Sequence, residues 1–148
     1  MTNPATGCVF CDTDGGEVLW RDARLRVIAP DEADYPGFLR VVWNAHVAEM
    51  TDLGRDDRDH VVRTVFAVEE SLRAILQPHK VNLASFGNVV PHLHWHVIPR
   101  FREDPHFPNP IWGTRLRDGV VPVPAGFRAR VAKALGEILA PAPGLSGP

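Results

Sequence analysis

From Arg55 to Gln77 the apolar residues Val61, Val65, Val68, Leu72 and Ile75 recur in steps of four and three, a period that predicts a long amphipathic helix. Gly54 can cap its start, Asp56 and Asp57 suit the positive first turn, and Pro78 stops it. Val62, Phe66 and Leu76 widen the apolar stripe beyond what one sheet face needs, so a second contact is expected, with a twofold partner. Elsewhere the period shortens to two. Residues 17–20 and 25–29 read as two short strands joined by a hairpin, Phe38–Trp43 as a third, Val81–Phe86 as a fourth and His92–Arg100 as a fifth. Consecutive strands with short links suggest an antiparallel meander of five strands covered on one face by the long helix. Phe127, Val131, Leu135 and Ile138 mark a C-terminal helix that Pro141 ends. The fold class expected is α+β, one domain over residues 1–140, with a frayed tail at 141–148. Residues 101–124 are too rich in proline for regular structure, yet Phe101, Phe107 and Trp112 predict that this loop packs over something.

Chemistry concentrates in the fifth strand. His92, His94 and His96 alternate with Leu93, Trp95 and Val97, so a strand would put three imidazoles on one face and the apolar residues on the other. Each ring can act near neutral pH as nucleophile, donor or metal ligand. Burying them without partners would cost roughly 1–3 kcal/mol per unsatisfied group, so the row must meet a ligand, a metal or water.

Two further features narrow the classes. Cys8 and Cys11 form a Cys-x-x-Cys pair, which in a reducing compartment is a redox dithiol or half of a zinc site. A net charge of −2 and a pI near 6.4 give no diffuse attraction to nucleic acid or to an anionic membrane, so neither is expected as a partner. The first residues have neither a basic region nor an apolar core for export, and a cytoplasmic protein is expected.

The run His92-Leu93-His94-Trp95-His96-Val97-Ile98-Pro99-Arg100 resembles the signature of the histidine triad (HIT) superfamily of nucleotide hydrolases and transferases. Cys8-Val9-Phe10-Cys11, the Pro36-Gly37 turn and His46 extend that resemblance over roughly the first two thirds of the chain. It implies a small-molecule nucleotide as ligand and His94 as a nucleophile that attacks its α-phosphorus, forming a covalent nucleotidyl-histidine. A backbone carbonyl of the triad strand would hold the second nitrogen of His94. His96 would donate to a phosphate or leaving-group oxygen, and His92 would be structural. Asn82 and Asn88 fall about where the family binds phosphate through amides. Asp31 could accept from ribose hydroxyls, and Val27, Ile28 and Trp43 or Trp112 would supply the apolar wall of the nucleoside pocket. In several relatives the cysteine pair joins two histidines around structural zinc, which here implies Cys8, Cys11, His46 and His92.

The chain departs from the family in two places. Phe38 stands where many members carry a fourth histidine behind the triad, and Val89 where Ser or Thr is frequent, which puts direct transfer of activity in doubt. Two other readings stand beside the enzyme: a nucleotide-binding or interaction protein without catalysis, and a metalloenzyme whose three triad histidines bind an open catalytic metal.

Overall fold

A computed structural model describes residues 5–141. The tail expected to fray lies outside the described residues, apart from Pro141. A four-residue helix α1 (Val9–Asp12) opens the chain and is followed by β1 (Glu17–Arg21), β2 (Leu25–Ala29) and β3 (Leu39–Trp43). Helix α2 (Arg55–Leu76) leads to β4 (Lys80–Ala84) and β5 (His94–Arg100), and α3 (Phe127–Ile138) closes the described chain. The short helix α1 was not expected from the pattern, because four residues are too few to show a period.

The five strands form one antiparallel sheet in the order β1-β2-β3-β5-β4. This corrects the expected meander. Helix α2 separates β3 from β4 in sequence and frees β4 to take the edge, while β5, buried at six of its seven positions, slots in beside β3. Strand β4 buries only Val81 and leaves Lys80 and Leu83 exposed, as an edge strand can.

Alternation along the strands makes two different faces. Leu25, Val27, Ala29, Leu39, Val41, Trp43 and Val97 join Val61, Val65, Val68 and Leu72 of α2 and Val131 and Leu135 of α3 in the main core. Helix α2 begins after Gly54 and ends at Leu76, and the capping Gln77, with a φ of 48°, turns the chain into Pro78. On the opposite face lie His94, His96, Ile28 and Val42, covered at one end by the N-terminal arm through Cys8 and Phe10. Arg26 holds that arm down. Its guanidinium, on a residue only 4% exposed, donates from Nη2 to Phe10 O at 2.8 Å, from Nε to Asp14 O at 3.0 Å and from Nη1 to Asn44 Oδ1 at 3.0 Å.

The loop after β5 is irregular as expected, and it is anchored by a buried ion pair. Arg100 donates from Nε to Asp104 Oδ2 at 2.8 Å and from Nη2 to Asp104 Oδ1 at 3.0 Å. Burial alone would raise the Asp104 carboxyl. Arg100 and the backbone N–H groups of Phe101, His106 and Phe107 outweigh it and hold the group at about 2, against an ordinary 3.8. Because the folded value is the lower one, the associated stability is complete above about pH 4 and is lost as pH falls towards 2. Asp104→Ala should therefore cost about 3–5 kcal/mol in denaturant unfolding near neutral pH and flatten the acid limb of stability between about pH 4 and 2. An unchanged midpoint and acid limb would show that the pair anchors nothing.

Candidate functional site

His92 does not lie on the strand with the other two histidines. Strand pairing begins at His94, and the chain at Leu93 instead bonds Trp43 and Val47 through its backbone. The fully buried His92 ring is thereby turned towards the N-terminal arm. Its Nε2 lies 2.6 Å from Trp43 O, and since a carbonyl only accepts, Nε2 carries the proton and Nδ1 is bare. That bare Nδ1 faces His46 Nδ1 at 3.2 Å, Cys8 Sγ at 3.4 Å and Cys11 Sγ at 3.5 Å. Cys11 Sγ is in turn 3.4 Å from His46 Nδ1, and all four donor atoms lie within 4.8 Å of one another.

A tetrahedral ion with bonds of ~2.0–2.3 Å separates its ligand atoms by roughly 3.3–3.8 Å, so the donor set fits zinc in both chemistry and spacing. Burial, and after it the adjacent Cys8, push the Cys11 thiol up, so Cys11 would become a thiolate ligand only with a cation beside it. The carbonyl on the far nitrogen of His92 is the partner that a metal-bound imidazole ordinarily has.

His94 is oriented by its neighbour's backbone. Its Nδ1 is 2.6 Å from His92 O, so the proton sits on Nδ1 and Nε2 keeps a free lone pair. Burial lowers the His94 pKa, the bond to His92 O offsets part of that, and the charge of Arg40 lowers it further, which keeps the ring neutral. Ser85 Oγ donates to His94 O at 2.7 Å and ties the strand to the turn before it. His96 stands beside His94 with ring centroids 4.8 Å apart, and burial together with His94 and Arg40 pushes its pKa down to about 3. Phe38, 1% exposed, packs its ring 5.5 Å from that of His96, at the position noted from the sequence as a departure from the fourth histidine of many HIT proteins.

The three triad rings therefore serve different sites. His92 is turned to the cysteines, whereas His94 and His96 line a cleft of about 460 Å³ with Phe10, Arg40, Asn88, Val90 and Trp112. This removes the reading of an open three-histidine metal site. Among the described residues, the one group of donors able to share an ion is Cys8, Cys11, His46 and His92.

Of the other residues singled out from sequence, Asn88 and Trp112 line the cleft. Asn82 lies on the same sheet face but outside the cleft lining, its Oδ1 accepting from Arg100 Nη1 at 2.8 Å. Asp31 is exposed beyond the end of β2 and also outside the lining. Val27 is corrected outright. Consecutive strand residues point to opposite faces, so Val27 and likewise Trp43 belong to the helix-side core. Ile28 does face the triad side, but Phe10 and the Gly15 turn cover it: a Cβ on Gly15 would lie 2.5 Å from the Phe10 ring and 3.1 Å from Ile28.

Three contributors escaped sequence reasoning: Arg26, Arg40 and Phe10. Each carried a faint signal. Arg26 and Arg40 are charges inside otherwise apolar strands, facing the triad side by alternation, and Phe10 stands between the two cysteines. Phe10 packs 4.8 Å from the His94 ring and 5.6 Å from that of His92, joining the cleft to the cysteine site.

A sequence profile described as the HIT domain matches residues 15–103, more than half of the chain. No curated protein matches the sequence. Among solved structures, a histidine triad protein from Bradyrhizobium japonicum is 26% identical with a TM-score of 0.66, over 84% of this chain and 90% of that one. A histidine triad protein from Sinorhizobium meliloti is 25% identical at the same TM-score of 0.66, with 84% and 90% covered. A zinc-bound histidine triad family protein from Mycobacterium smegmatis shares the fold at 19% identity and a TM-score of 0.64, over 90% of this chain and 96% of that one. With the profile spanning the sheet and the triad, the chain belongs to the HIT domain family.

Proposed function

We propose that the protein is a nucleotide hydrolase or nucleotidyltransferase that works through a covalent nucleotidyl group on His94. The observation that carries this reading is the bond from His94 Nδ1 to His92 O, which leaves a neutral imidazole with a bare Nε2 at the cleft. The Nε2 lone pair forms a bond to the α-phosphorus while the bond from phosphorus to the leaving oxygen or nitrogen breaks, and the leaving atom takes that electron pair. His96 donates a hydrogen bond where this charge grows. A water oxygen then attacks the same phosphorus, the phosphorus–nitrogen bond breaks, its electron pair returns to His94 Nε2, and the proton of the attacking water passes to bulk solvent. Asn88 supplies an amide to the phosphate, and Phe10 and Trp112 supply the apolar walls. Asn82, Asp31 and Ile28 would join the substrate only if the edge of the cleft rearranged around it.

We place structural zinc on Cys8, Cys11, His46 and His92. Zinc would staple the N-terminal arm to the start of β5 and fix the carbonyl that holds His94, and the zinc-bound relative of the same fold is compatible with this. Thiolates of this kind persist in a reducing compartment, so the cytoplasm is the proposed location. The apolar residues left uncovered on α2, Val62 and Phe66, at 36% and 55% exposure, support a homodimer through that helix. A single-chain mass in light scattering at micromolar concentration would contradict it.

Intact-protein mass spectrometry after incubation with adenylyl and guanylyl anhydrides and phosphoramidates should show a nucleotidyl mass on the wild type and none on His94→Ala. Turnover should fall about 10³-fold or more in that variant. Nucleotide binding with neither adduct nor product would leave the chain a binding module.

Elemental analysis of protein purified without chelator should find one zinc per chain, lost in Cys11→Ser together with a lowered melting temperature. Metal-free protein with freely titrating thiols would remove the zinc assignment.

A further inference from the structure

Arg40 is the one half-buried arginine of the sheet whose guanidinium has no committed partner. Arg26 and Arg100, its counterparts, have theirs filled by backbone carbonyls, asparagine amides and, for Arg100, a carboxylate. Arg40 makes a single side-chain hydrogen bond among the described residues, from Nε to His96 Nδ1 at 3.4 Å. Glu32 is near enough for its field to be felt but forms no ion pair with it. The guanidinium lies over the Phe38 ring at 5.0 Å and lines the same cleft as His94 and His96.

Two consequences follow from that placement. Because Nε–H donates to His96 Nδ1, the proton of His96 is on Nε2, the nitrogen left to face a leaving group. Arg40 thus restores a polar partner to His96 in a fold where Phe38 has removed the expected one. The remaining Nη groups form a rigid fork of donors suited to a phosphate and idle without one. A half-buried cation lacking a counter-ion is costly, and a phosphate on the leaving side of His96 would neutralise it.

We propose that Arg40 is a specificity-determining residue that binds a phosphate beyond the scissile bond, so that the preferred substrates are nucleotide phosphoanhydrides rather than esters or amidates with an uncharged leaving group. Register supports the side chosen. Arg40 is directly opposite His96, whereas His94 is opposite Val42, so the guanidinium stands next to the residue read as facing the leaving group and two pairs along the strands from the nucleophile. The proposal rests on the nucleotide reading of the cleft but not on turnover.

Isothermal titration in the His94→Ala background separates the two, since no nucleotide is consumed there. AMP and ADP, and GMP and GDP, are titrated into this protein and into the same protein carrying Arg40→Gln or Arg40→Lys. The diphosphate of the bound pair should be favoured by roughly tenfold or more, and Arg40→Gln should erase that ratio while leaving the monophosphate affinity within a few-fold. Arg40→Lys, which keeps the charge and loses the fork, should retain only part of it. An equal loss of mono- and diphosphate affinity would place Arg40 on the α-phosphate and overturn the proposal, as would a diphosphate preference that survives Arg40→Gln. Failure to bind any of the four nucleotides would overturn it together with the nucleotide reading. Binding with the expected ratio in a protein whose wild type forms no adduct would sustain the role of Arg40 while removing the enzyme.

Discussion

His92 is committed in three directions, and the site depends on all three. Its Nε2 donates to Trp43 O, its Nδ1 looks into the cysteine cluster, and its carbonyl accepts the proton of His94. The first bond ties the residue to the end of β3, so the ring cannot rotate without losing a buried hydrogen bond. With the ring fixed, the peptide that carries the carbonyl is fixed as well. The protonation state of the neighbouring imidazole thus follows from backbone geometry, and no carboxylate is needed to hold it.

The sheet turns this local arrangement into a cleft by keeping its two faces separate. One face is filled by α2 and α3 and is wholly a matter of apolar packing. The other carries Arg26, Arg40 and Arg100, two imidazoles and a small apolar patch, and the N-terminal arm closes only one end of it. Arg26 and Arg40 divide the work there: the first is spent on the arm's backbone, and the second remains open beside His96. At the far edge the Arg100–Asp104 pair anchors the loop that brings Trp112 within 5.0 Å of the His96 ring and 4.9 Å of Phe86. The cleft is therefore bounded by elements held in place by buried charge on one side and by the cysteine cluster on the other.

Much of this could be read from sequence because the signals are local. The period of α2, the alternation of β5, the Cys-x-x-Cys pair and the closing helix at Phe127–Ile138 each declare themselves within a few residues. The grouping of Cys8 and Cys11 with His46 and His92 was legible only through the resemblance, and the structure brings those four together. What was not legible depends on pairing across the sheet. The strand order needed the competition between β4 and β5 for the place beside β3, and Val27 could be put on a face only once β2 had a register. Asn82 reads as a phosphate ligand until the fold hands its amide to Arg100, eighteen residues away. His92 looked like the first member of a strand row, but strand pairing starts two residues later.

The fold presents His94 as a neutral imidazole with its proton on Nδ1 and a bare Nε2. Nitrogen-15 NMR of the histidine rings, followed through a pH titration, reads both nitrogens directly. At neutral pH His94 should be found in the Nδ1–H form, protonating only below the ordinary imidazole value of 6.5. A proton on Nε2, or an imidazolium that persists above that value, would contradict it.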